Sequence, residues 1–99
     1  MGQYSLRVIA TVKARSEKVD ELRGPLMGLI APTRQEPGCI IYELLQNKED
    51  ATEFTFVEEW TNEAALESHF GTSHIQDALK RLPNLLAEEL DLRRYVLVG

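Results

Sequence analysis

The sequence predicts an α+β fold, ferredoxin-like, with one antiparallel sheet and its helices on one face, in the order β-α-β-β-α-α-β. Three observations carry this. Segments near both ends and in the middle alternate apolar and polar residues with period two, the mark of a half-buried strand. Two helix-period segments separate them. The two middle strands are joined by a short polar connector, which makes them a hairpin.

The first strand is residues 4–14, YSLRVIATVKA. Leu6, Val8, Ala10 and Val12 share one face, and Arg7, Ile9, Thr11 and Lys13 the other. Ser16 before Glu17 reads as a helix N-cap with an acid in the first turn. Val19, Leu22, Leu26, Leu29 and Ile30 follow at helical spacing. Pro25 and Pro32 should kink or shorten that helix. The run Glu36-Pro37-Gly38-Cys39 is a turn, in which Gly38 can take a positive φ.

Residues 39–46, CIIYELLQ, form the second strand, with Ile40, Tyr42 and Leu44 on one face. After the connector KEDAT comes the third strand, 53–60, with Phe54, Phe56, Glu58 and Trp60 on one face. Asn62 caps a short helix that Gly71 ends. Thr72 or Ser73 caps another, running to about Leu82 before Pro83. Residues 92–98, LRRYVLV, make the last strand. The helices cover one sheet face only. A second copy of the sheet is the simplest cover for the other, so a homodimer is expected.

Composition bounds the function. Ninety-nine residues, 1–99, make one domain. Eleven Lys and Arg against 16 Asp and Glu give a net charge of −5, which disfavours nucleic acid and anionic membrane surfaces. The single cysteine, Cys39, rules out an intrachain disulfide and fits a reducing cytoplasm. No apolar run is long enough to span a membrane. The opening MGQYSLRV lacks the apolar stretch of a secretory signal. There is no GxGxxG and no Walker loop, which argues against a dedicated nucleotide-phosphate site.

The run EPGCIIYELLQ, followed by FTFVEEWTNEAALESHFGTSHI, resembles the antibiotic biosynthesis monooxygenase family of dimeric α/β barrels. The landmarks are Pro37-Gly38-Cys39, Tyr42, Glu58-x-Trp60, Ala65-Leu66, His69 and Ser73-His74, within the spacing W-x5-L-x2-H-x4-H. The resemblance implies a small dimer whose pocket lies between sheet and helices. Many such proteins oxidise electron-rich phenolics, hydroquinones or anthrones, without a cofactor. Others degrade heme, and one group isomerises a phosphorylated quorum-sensing sugar derivative. Heme degradation does not fit. The position of the axial histidine is Leu79, His69 stands where a tryptophan belongs, and the first strand lacks the asparagine.

His69, Glu58 and His74 are the candidate catalytic residues, and Trp60, Tyr42 and Phe56 the candidate substrate-binding ones. A histidine can exchange a proton near neutral pH. The end of a helix favours protonated His69, and the first turn of the next favours neutral His74. The alternative is that one caps and the other bonds backbone at the break. No metal is expected, because a pair at i, i+5 across a helix break does not share a face and no third ligand lies near in sequence. Glu58 interrupts an aromatic face. It either sits in a wet cavity with a raised pKa, as a base for a phenolic proton, or pairs with Arg7, Arg93 or Arg94. Tyr42, Trp60 and Phe56 suit a flat ring, or equally a core. Cys39 reads as structural.

Two rivals stand beside the oxygenase. An isomerase of a phosphorylated metabolite would need a basic pocket, from Arg7, Lys13 and Arg34. A non-catalytic, stress-related dimer would bind a ligand without turnover.

Overall fold

The computed structural model describes residues 5–99. Tyr4, the first residue of the predicted opening strand, lies outside the described residues, as does the first half of the MGQYSLRV stretch. The strands are β1 (Leu6–Lys13), β2 (Cys39–Gln46), β3 (Glu53–Trp60) and β4 (Asp91–Tyr95), and the helices α1 (Val19–Met27), α2 (Ile30–Arg34), α3 (Glu63–Phe70) and α4 (Ser73–Arg81). All strand pairs are antiparallel, in the order β2-β3-β1-β4. This is the ferredoxin-like arrangement that the segment order predicts, and its sheet is open.

The period-two pattern sets the core. Leu6, Val8, Ala10 and Val12 of β1 are buried, as are Phe54, Phe56, Glu58 and Trp60 of β3. They meet Leu22 and Leu26 of α1, Leu66 of α3, and Ile75 and Ala78 of α4. Each fully buried leucine contributes roughly 1.5–3 kcal/mol. On the far face, Ile41 and Leu45 of β2 and Tyr95 of β4 lie exposed.

Four details differ from the sequence reading. Ser16 does not cap the first helix. A turn closed by Lys18 N–H to Arg15 O delays the helix to Val19, so Asp20 and Glu21 occupy its first turn. The expected single helix is divided into α1 and α2 at Gly28 and Leu29, with Pro25 inside α1. Ile40 does not share the inner face with Tyr42. A bulge between Cys39 and Ile41 shifts the register, so Cys39 stands opposite Trp60 and Ile40 is exposed. The last strand stops at Tyr95, because that residue pairs with Arg7 near the start of β1 and the edge then runs out. Val96, Leu97 and Val98 are exposed beyond it.

Candidate functional site

The caps that open the second half of the chain act as predicted. The Asn62 side chain accepts from Ala65 N–H at 2.9 Å, and Thr72 Oγ1 accepts from Ile75 N–H at 3.4 Å. Gly71 follows α3 as its C-cap. These signals place His69 at the end of α3 and His74 at the start of α4, beneath the inner sheet face.

A cavity of about 130 Å³ lies between sheet and helices. Ala10, Val12, Tyr42, Phe56, Glu58 and Leu92 line it from the sheet. Leu26, Leu29, His69, Phe70, Ile75, Ala78 and Leu79 line it from the helices, with Leu82 and Leu90 beyond them. Its wall is almost wholly apolar, and Glu58, His69 and the Tyr42 phenol are its titratable groups. Tyr42 stacks on Phe56 with ring centroids 5.0 Å apart, and the edge of His69 meets Tyr42 at 5.6 Å.

Glu58 is only 4% exposed. Its Oε1 accepts from Trp60 Nε1–H at 2.9 Å. The expected arginine partner is absent: Arg7 lies beside Glu59, Arg93 beside Asp91, and Arg94 beside Glu63 and Glu67. Arg7 and Arg93 stand on the outer face of the sheet, and Arg94, opposite Val8 on the inner side, reaches the α3 carboxylates instead. Burial in an apolar wall penalises the charged form and pushes Glu58 up to about 7. The Trp60 bond opposes this, and the nearby Glu36 adds to it. Burial likewise raises the Tyr42 phenol, with the Glu58 carboxylate adding to the effect.

His69 is 2% exposed. Burial lowers its pKa, and the carboxylate of Glu36 pulls the other way. Desolvation therefore overrides the helix-end effect expected for this residue. Nδ1 lies 2.9 and 3.1 Å from the two oxygens of Glu36, while no protein group bonds Nε2 among the described residues. His74 Nε2 bonds the same Glu36 Oε2. Neither imidazole caps a helix or bonds backbone, contrary to the alternative considered above. The two rings converge on one carboxylate.

No third group lies near the pair in sequence, but the fold brings one to them in space. Glu36, His69 and His74 place one ligand atom each within 4.8 Å of one another, and they are the set among the described residues that could grip a cation. Glu36 went unnoticed in the sequence because it stands 33 and 38 residues from its partners, in a run legible only as a turn. Its position depends on Gly38. That residue has φ +87°, and an added Cβ would lie 2.6 Å from Ala65 Cβ and 2.8 Å from Thr61 Oγ1. The turn thus lies tight against α3 and aims Glu36 at His69.

Of the six predicted site residues, Glu58, His69, Tyr42 and Phe56 line the cavity. Trp60 is fully buried behind it, 4.7 Å from the His69 ring, and donates to Glu58. His74 opens instead onto an outer hollow beside Gly24, Gly28, Asp77 and Arg81. Burial pushes the half-buried Cys39 thiol up, in keeping with a structural role.

Residues 5–81 match the family described as "Antibiotic biosynthesis monooxygenase". The chain is 33% identical over 88 residues to the uncharacterized protein sll1783 of Synechocystis, across 89% of this chain. It spans about 60% of the length of that relative. It is 31% identical over 85 residues to the Bacillus subtilis protein named "Putative monooxygenase YcnE", across 86% of this chain and 90% of that one. The crystal structure of PA3566 from Pseudomonas aeruginosa superposes with a TM-score of 0.93 at 31% identity, covering 98% of this chain and 97% of that chain. Sequence, fold and the match across most of its length agree that this chain belongs to the antibiotic biosynthesis monooxygenase family.

Proposed function

We propose that this protein is a cofactor-independent monooxygenase of a small electron-rich phenolic, and that a hydroquinone of one ring suits it better than an anthrone of three. The observation that carries this is the buried carboxylate of Glu58, with a pKa of about 7, on the wall of an otherwise apolar aromatic cavity. A general base works best when its pKa lies near the working pH. The cavity holds about 130 Å³, and an apolar cavity of roughly 150 Å³ takes benzene.

The ring lies against Tyr42 and Phe56. One hydroxyl gives its proton to Glu58, and the bare nitrogen of His69 accepts a hydrogen bond from the other. The phenolate passes one electron to O₂, and the radical and superoxide join at a ring carbon as a peroxide. Glu58 returns its proton to the outer peroxide oxygen, the O–O bond breaks as the same ring carbon loses its C–H proton, and the departing hydroxide takes that proton and leaves as water. The carbon keeps the second oxygen as a carbonyl. One O₂ and one hydroquinone give one hydroxyquinone and one water, with no external reductant. The protein orients the ring, moves the proton and excludes bulk water.

The whole chain acts as one domain in the cytoplasm, as a homodimer in which a second sheet covers Ile41, Leu45 and Tyr95. The isomerase rival lacks support, since no Lys or Arg lines the cavity among the described residues. Lys13 pairs with Asp50, and Arg34 donates to the Tyr42 carbonyl. A non-catalytic binding protein is separated by turnover.

The test is oxygen consumption by chelator-treated protein with a panel of hydroquinones and anthrones. Saturable uptake that favours single rings and is lost in Glu58→Gln supports the proposal. Binding without uptake above the uncatalysed rate would sink it.

A further inference from the structure

His69 and His74 face different spaces. His69 lines the inner cavity, whereas His74 lines the outer hollow. Glu36 stands between them and takes both rings on one oxygen, Oε2. A neutral imidazole carries one proton, on Nδ1 or on Nε2, and the partner of one nitrogen decides the fate of the other. Here a carboxylate lies 2.9 Å from Nδ1, and none of the described residues bonds Nε2. A carboxylate can only accept, so the proton belongs on Nδ1.

We propose that Glu36 and His74 are positioning residues for His69: His74 donates to Glu36 and holds it in place, Glu36 keeps the His69 proton on Nδ1, and Nε2 presents its lone pair to the cavity.

The logic is that of a base oriented by a carboxylate, itself oriented by a further donor. Backbone geometry supports it. The positive-φ turn at Gly38 packs on α3, and the Thr72 hydroxyl donates to the His69 carbonyl at 2.8 Å, so carboxylate and ring are both held from behind. A cation would fit the three side chains less well than protons do. Tetrahedral zinc holds its ligand atoms about 3.3 Å apart. The Glu36 oxygen is already 2.9 Å from His69 Nδ1 and closer still to His74 Nε2, the spacing of direct hydrogen bonds. The proposal rests on the oxygenase reading only for what Nε2 does to substrate. The tautomer itself can be measured with no substrate present.

The measurement is long-range ¹H–¹⁵N NMR of the imidazole rings. The chain has two histidines, so every His74 variant leaves His69 as its single ring signal. In wild-type protein His69 should carry its proton on Nδ1. It should keep that tautomer in His74→Gln, whose amide can still donate to Glu36. In His74→Leu and in Glu36→Gln the Nδ1–H form should give way to a mixture of the two tautomers. In the oxygen assay, His74→Leu should lower kcat about tenfold and change KM less than about twofold, while His74→Gln recovers most of the loss. A wild-type His69 with its proton on Nε2 would overturn the proposal, as would an Nδ1–H tautomer unchanged in both His74→Leu and Glu36→Gln. Stoichiometric zinc uptake that perturbs both rings would also overturn it, and would make the trio a metal site. If Glu36→Gln does not fold, the two His74 variants, with Glu36 intact, still decide the question.

Discussion

Glu58 and Glu59 are adjacent on β3 and face opposite sides of one sheet. Glu58 points inward, among Tyr42, Phe56 and the helices, with a tryptophan N–H as its hydrogen-bond donor. Glu59 points outward, where Arg7 Nε stands 3.6 Å away. The inner carboxylate has no cation, so burial raises its pKa to about 7. The outer one has a half-exposed cation within reach and a face still open to solvent. The contrast shows how one strand can carry a buried acid without a cation and one beside an arginine, side by side. Strand geometry alone separates them, since successive side chains alternate faces.

The largest effect is expected from removing the inner carboxylate. Glu58→Gln should lower oxygen uptake about 10²-fold or more, the usual worth of a positioned base, while Glu59→Gln leaves it within about twofold. Equal losses in the two variants, measured in the same assay, would erase the contrast.

Stability should change in the opposite sense, and with pH. The folded pKa of Glu58, about 7, lies above its ordinary value of 4.5. Between those values the folded state holds a proton that the unfolded state releases. Stability therefore falls as pH rises through that window, and above about pH 7 the burden is complete, up to about 3 kcal/mol. Glu58→Gln should thus stabilise the protein more at pH 8 than at pH 4. Urea unfolding at the two values checks this, and a gain independent of pH would contradict the raised pKa.

Trp60→Phe sharpens the picture at a smaller scale. It removes the N–H donated to Glu58 Oε1 and keeps most of the packing. That bond favours the carboxylate, so Glu58 should titrate higher still, and the rising limb of the kcat/KM profile should move to higher pH. A profile that stays in place would show that the bond does not tune the acid.

On the outer face, Leu45→Glu should convert the proposed dimer to monomer, read by sedimentation velocity. Loss of the Arg7–Glu59 pair should be the smallest effect. Arg7→Gln should cost less than about 1 kcal/mol in unfolding, as exposed ion pairs do.

Much of the fold was legible in local signals. Alternation in LRVIATVK and EFTFVEEW fixed which residues face the core, because a strand has only two faces. Asn62, Gly71 and Thr72 marked the helix break, because cap chemistry is local. Glu58 was legible as an acid on an aromatic face. Ser16 misled, since a turn consumed the residues expected to start the helix. The bulge at Cys39 was hidden because register depends on the partner strand.

By itself, then, the sequence determined the order of elements, the two faces of each strand and the positions of both histidines along the helices. These follow from contacts within a few residues. Tertiary structure alone decided that Glu58 meets no arginine, that Trp60 stands behind the cavity and that Glu36 joins His69 to His74. Those facts depend on how a turn, a sheet and two helices pack together. A carboxylate 33 residues from its imidazole leaves no periodic trace in the chain.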